Sequence, residues 1–202
     1  GSGEDERWYK FYVKDRAVIN PTFELAEKER CSLFHQSQTF IKIYNSRDEL
    51  VYKEAATQYK GENIWNIGSK TLTSGTYYVK IVNNRQAYYP ATFMFNLNGH
   101  DWIPANGITC SSSEIQLSDI GKKKVIAQTV PANSDDKIVS VYDHLTGKTW
   151  DWYNSNTVDY DGIPSTATAP GRHAWITFKT TNGKTFTTYV ISPAEKLKKP
   201  RV

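Results

Sequence analysis

Few side chains in this 202-residue chain have types and spacing that could do chemistry. Cys31 and His35 stand four residues apart, a thiol within reach of a base. Their setting, Cys31-Ser32-Leu33-Phe34-His35, matches no catalytic signature. The histidines at 35, 100, 144 and 173 form no His-x-His or His-x-x-x-His pair, so their spacing does not predict zinc. Asp159 and Asp161 are close enough to be considered as paired acids for glycosidic cleavage. Asp159-Tyr160-Asp161-Gly162 also begins like a calcium loop, but it lacks the later ligands and the closing Glu. It reads as an exposed acidic turn. Gly147-Lys148-Thr149 has no preceding glycine-rich run to cradle phosphate, and Ser74-Gly75 belongs to no nucleophile elbow. The expectation is a protein without catalytic activity.

What remains is aromatic. The chain carries 13 Tyr, 8 Phe and 6 Trp against one Met. Trp150, Trp152 and Tyr153 fall on one hairpin arm beside Asp151 and Asn154, and Tyr160 lies in the loop beyond. Alternation puts Trp150 and Trp152 on one strand face and Tyr153 on the other. Flat rings flanked by carboxylate and amide groups suit sugars, whose C–H faces stack while their hydroxyls take the polar groups. Trp65, Tyr88 and Tyr89 are candidates for the same role earlier in the chain. A Trp pair on one strand face also suits a sandwich core, and both readings stand at this point.

The elements that must position these rings are strands. Leu72 to Val82 is central: Ser74-Gly75 reads as a turn, and Tyr77, Val79 and Ile81 then alternate with Thr76, Tyr78 and Lys80. An apolar face opposite a mixed polar face predicts an antiparallel strand covered on one side. Arg7–Lys14, Thr39–Tyr44, Glu49–Glu54, Ile64–Ile67 and Tyr88–Leu97 follow the same pattern, and Pro21 breaks Val18–Leu25. Thr57–Asn63 reads as a polar loop. In the second half, Lys124–Thr129 and Lys137–Asp143 alternate. Hairpins are expected at Thr146-Gly147 and at Asn182-Gly183, with a long loop over 154–171 between them. The fold expectation is all-β, two antiparallel β-sandwiches in series, jelly-roll-like and then Ig-like. Its parts are a lead at 1–5, a first sandwich at 6–102, a linker at 103–109, a second sandwich at 110–195 and a basic tail at 196–202.

Formal net charge is +4, but both bodies are nearly balanced, and Lys196, Lys198, Lys199 and Arg201 gather in the tail. Without a cluster elsewhere along the sequence, a dedicated nucleic-acid surface is not expected. Gly1-Ser2-Gly3 reads as a tag remnant. No apolar run approaches the roughly 18–20 residues of a membrane span. Cys31 and Cys110 are the two cysteines; they either form one disulfide in an oxidising compartment or remain free thiols.

Residues 6–98 resemble the bacterial pre-peptidase C-terminal domain, a jelly-roll-like sandwich appended to secreted enzymes. The likeness rests on Trp8-Tyr9-Lys10-Phe11-Tyr12-Val13, Phe40-Ile41-Lys42-Ile43-Tyr44 with Val51-Tyr52, Gly75-Thr76-Tyr77-Tyr78-Val79 and Tyr89–Leu97. Where that family favours an Asp-rich string, this chain has Gln36-Ser37-Gln38-Thr39. Some relatives bind calcium through acids before the first strand, a place held here by Glu4, Asp5 and Glu6, so the resemblance implies a possible calcium site. The second body resembles a generic Ig-like module, a fold shared by many functions. The resulting expectation is a secreted or surface-displayed bacterial accessory protein that binds an extracellular polymer, whether glycan, cell wall or fibrous protein. The alternative is a protein-binding module such as a protease inhibitor, adhesin or toxin-associated subunit.

Overall fold

The computed structural model describes residues 5–25, 39–56, 58–61, 64–83, 93–162 and 168–194. The chain divides into two units, Gly1–Trp102 and Ile103–Val202. Among the described residues the regular structure is β, apart from a one-turn 3-10 helix at Leu117–Asp119, and no helix is long and apolar enough to cross a membrane.

The first unit contains two sheets. One is built from β1 (Asp5–Ile19), β3 (Thr39–Asn45), β4 (Leu50–Ala55), β7 (Lys70–Asn83) and β9 (His100–Asp101), in the order β4-β3-β7-β1-β9. The other contains β2 (Thr22–Leu25), β5 (Gln58–Gly61), β6 (Ile64–Asn66) and β8 (Phe93–Asn96), in the order β5-β6-β2-β8. Inward residues of both sheets make one core: Val13, Ile41, Ile43, Tyr77, Val79 and Ile81 from the first, Phe23 and Trp65 from the second. The alternation in Tyr77-Val79-Ile81 therefore marks the buried face, as the pattern of that strand required.

Two local expectations are corrected. Ser74-Gly75 is not a turn: β7 runs through it, because its neighbour β1 carries a bulge there. Val13 pairs with Gly75 and Arg16 with Thr73, so Lys14 and Asp15 share the space opposite Ser74. Thr57–Asn63 is not wholly loop, since Gln58–Gly61 pairs with β6. A break does fall at Asn20-Pro21, between β1 and β2.

The second unit has a three-stranded sheet of β10 (Gly107–Cys110), β12 (Val125–Val130) and β15 (Thr157–Tyr160), in the order β10-β12-β15. Its other sheet has the order β11-β17-β16-β13-β14, from β11 (Glu114–Gln116), β13 (Ile138–Asp143), β14 (Lys148–Trp150), β16 (Gly171–Thr180) and β17 (Thr185–Ser192). Val125, Ala127 and Val158 from one sheet close a core with Ile138, Val141, Trp175, Phe178 and Val190 from the other. Pairing is antiparallel except β11 with β17, which is parallel and departs from the purely antiparallel expectation.

Residues 103–109 are not a free linker. Ala105 is buried, and its N–H donates to Asp136 Oδ2 at 3.0 Å, while Ile103 N–H donates to Asp135 Oδ2 at 2.8 Å. The proline and Asn-Gly that suggested a linker instead shape an entry segment held by two carboxylates. The expected loop over 154–171 contains β15, whose outward Thr157 and Asp159 disguise inward Val158 and Tyr160.

Candidate binding site

The β13–β14 hairpin carries the strongest sequence candidates, and its turn is held by one side chain. Asp143 Oδ1 accepts from the backbone N–H groups of Leu145 (2.8 Å) and Thr146 (3.1 Å), and Gly147 closes the turn at φ 69°. The other oxygen, Oδ2, accepts the Tyr160 hydroxyl at 3.0 Å. Burial, with the Asp143 charge next, pushes the Tyr160 hydroxyl far above its ordinary pKa. Asp143 thus ties the hairpin turn to β15.

An aromatic series rises from that point. Buried Trp175 lies 5.7 Å from Tyr160, Tyr160 5.6 Å from Trp150, and Trp150 6.2 Å from Trp152 in an edge-on contact. Trp152 then stacks on Tyr153 at 5.6 Å and 28° between planes. Tyr160 is core and Trp150 is half-buried against that core, but Trp152 is 70% exposed. Asp151 and Asn154 are exposed on either side, and Tyr153 is half-buried. Burial and then the Asp161 charge raise the Tyr153 hydroxyl pKa.

Two corrections follow. Tyr160 is a core residue that supports the site and does not offer a ring to a ligand. Trp150 and Trp152 do not share a strand face opposite Tyr153, because β14 ends at Trp150. Beyond it the two-residue period lapses, which lets Trp152 and Tyr153 stack.

The remaining candidates separate. Trp65 is buried in the first core, since β6 lies between β5 and β2 and turns its ring inward; it is not a ligand surface. Tyr88 and Tyr89 lie outside the described residues. Of the acidic lead, Glu4 lies outside the described residues, Asp5 opens β1, and the Glu6 carboxylate is ion-paired with Lys80. Among the described residues Cys110 carries a free thiol, and Cys31, the other half of the pair considered above, lies outside them. Cys110 sits on β10 against the second core, and burial pushes its thiol up to about 11.

The histidines and buried acids near these sheets have structural partners. His144 Nε2 is 2.8 Å from Thr177 Oγ1, and His173 Nε2 lies 2.6 Å from the Ala169 carbonyl oxygen. Asp136 accepts from Ala105 N and from the Thr181 hydroxyl.

Sequence reasoning passed over a second aromatic surface. Trp8 and Tyr12 on β1, with Tyr78 on β7, stand exposed on the outer face of the five-stranded sheet. The signal was present in the alternation, which set Trp8, Lys10 and Tyr12 apart from Tyr9, Phe11 and Val13.

No family model and no curated protein matches this chain. Among solved structures, the adhesin domain of Epf from Streptococcus pyogenes is similar over 98% of this chain and 72% of its own, at 14% identity and a TM-score of 0.26. A likeness of that size carries no argument about fold or function.

Proposed function

We propose that this chain is a non-catalytic binding protein, secreted or displayed on a bacterial surface, that holds an extracellular polymer through Trp152 and Tyr153. The observation that carries the reading is Trp152: a large ring left in solvent while its neighbours lead step by step into the core. Such a ring has little to do for the fold. Fixing it in advance lowers the ordering cost of binding, the usual advantage of a rigid aromatic anchor. Asp151 and Asn154 beside it supply acceptors and an amide for hydroxyls. Acidic flanks favour a neutral glycan over an anionic one. The resemblance of residues 6–98 to a module appended to secreted enzymes supports the extracellular setting.

The test is retention of the full chain on peptidoglycan, cellulose, chitin and collagen, with and without calcium, beside Trp152→Ala. Retention by one polymer that the folded variant loses supports the reading. Absence of retention by all four refutes polymer binding and turns attention to a protein partner.

A further inference from the structure

The first unit presents a second surface of different character. Cross-strand register sets its layout. Trp8 pairs with Lys80, which pairs with Lys42, which pairs with Lys53; one step along, Lys10 pairs with Tyr78 and Tyr78 with Tyr44. Side chains opposite one another in adjacent strands share a face, so these residues lie together on the side away from the core. Tyr12, beside Thr76, extends the patch toward the bulge. The patch spans four strands, about 14 Å across at the ordinary strand spacing.

Trp8 is 51% and Tyr12 68% exposed, although the core lies on the opposite face and gives neither ring a reason to be there. Trp8 leans on Tyr44 at 5.6 Å. Lysines interleave with the rings: Lys10 Nζ lies 5.8 Å from the Tyr78 centroid, Lys80 Nζ 5.4 Å from Trp8, and Lys53 Nζ 5.2 Å from Phe40. These distances are near the outer limit of about 6 Å for a cation–π contact, so a ligand can take the ring faces at small cost. Among the described residues Glu6 is the carboxylate that meets the patch, at Lys80, and it is set against Lys10, Lys42, Lys53 and Lys80. This contrasts with the acidic flanks of Trp152.

We propose that the outer face of the β4-β3-β7-β1 sheet is a binding site for an acidic polysaccharide, with Trp8, Tyr12 and Tyr78 as stacking platforms and Lys10, Lys42 and Lys53 as partners for carboxylate or sulfate groups. The cations within the patch are lysines, mobile point charges that suit scattered acidic groups along a glycan. Phosphate recognition favours the planar guanidinium fork, and Arg16 lies beyond the bulge with its guanidinium stacked on Trp102 at 3.5 Å. That difference favours a glycan over a single-stranded nucleic acid. The patch belongs to the first unit and Trp152 to the second, and neither proposal depends on the other.

The experiment measures binding of the full chain to polygalacturonate, dextran sulfate, neutral dextran and oligo(dT) at low and high salt. Trp8→Ala, Tyr12→Ala, the Lys10→Gln/Lys53→Gln pair and Lys122→Gln are run in parallel, each checked for an unchanged melting profile. Expected is retention by an acidic glycan and not by neutral dextran. Trp8→Ala or Tyr12→Ala should weaken it roughly tenfold, as loss of one aromatic contact implies. The lysine pair should flatten the salt dependence, and Lys122→Gln, an exposed lysine of the second unit, should change nothing. No binding to either acidic glycan overturns the proposal. So does binding that the Trp8, Tyr12 and lysine variants leave intact, or binding to oligo(dT) as tight as to the glycans.

Discussion

The Tyr160 hydroxyl donates to Asp143 Oδ2 at 3.0 Å, and this bond joins the turn that presents Trp150 to the strand that supports it. Both residues are buried. Tyr160→Phe keeps the ring series and removes the donor, leaving a buried carboxylate oxygen with one partner fewer. The expected cost is about 1–3 kcal/mol, the ordinary penalty for an unsatisfied buried acceptor. Chemical denaturation of the second unit measures it. No loss would mean that water replaces the hydroxyl freely.

Alkaline pH should act through the same residue. Burial first, and the Asp143 charge next, hold the folded-state pKa of Tyr160 well above the ordinary value of 10.0, and burial raises Tyr52 to about 12. Above pH 10 the unfolded chain releases these protons while the folded chain keeps them, so the unfolded state binds fewer protons and stability falls as pH rises. Below pH 10 the contribution is fully present. Phenolate absorbance should show Tyr160 and Tyr52 titrating late, and stability between pH 10 and 12 should decline less steeply in Tyr160→Phe. A decline identical to that of the parent would exclude Tyr160 as its source.

Trp150 and Trp152 should behave as opposites, though the sequence presents them as a pair. Trp152→Ala removes a ring that is largely in water and should leave stability within about 0.5 kcal/mol. Trp150 bridges Tyr160 and Trp152 and packs on the core, so Trp150→Ala should cost roughly 1–3 kcal/mol, below the value for a fully buried ring. Thermal melts beside the polymer assay separate a lost ligand contact from a lost support.

The two-residue period made the strands legible, and with them the inward set Ile41, Ile43, Tyr77, Val79 and Ile81. Where the period was interrupted, the reading failed. The bulge at Lys14-Asp15 resembles a turn when only the Ser74-Gly75 side is read, because a bulge is a property of two paired strands. β15 was hidden because a four-residue strand inside a polar stretch shows just two inward residues. The ring cluster around Trp152 was legible as composition, but which ring is core depends on where β14 stops. The Trp8 surface needed register: Lys10, Tyr78 and Tyr44 are far apart in sequence and become neighbours only through β1–β7 and β7–β3 pairing.

Cys110 offers a test of the second core's density. Burial lifts its thiol to about 11, only partly opposed by its contact with Thr188. At pH 8 about 0.1% is thiolate, against about a quarter for an ordinary thiol, so alkylation in the folded protein should be slowed some hundredfold. Peptide mapping after labelling isolates this cysteine from Cys31. In denaturant without reductant, Cys110 should label at once; failure there would mean that it is paired and that the free thiol is wrong.

Gly162 sits just beyond Tyr160 at φ 65°, a left-handed position that L side chains rarely adopt. A Cβ there would come within 2.6 Å of Trp175 Cζ2 and 3.2 Å of Tyr160 Cε1. Trp175 is fully buried, so its ring cannot swing aside without disturbing the base of the aromatic series. Gly162→Ala therefore combines backbone strain with overpacking, and its cost should reach about 2–4 kcal/mol. Gly183 supplies the control: its φ is 83°, but a Cβ there would meet nothing within 4 Å. Gly183→Ala should carry the backbone cost alone, about 1–2 kcal/mol. The difference between the two variants, read from denaturation of the second unit, isolates the contact with Trp175. Equal costs would show that the Trp175 ring gives way, and Trp152 would then rest on a softer support than the packed series implies.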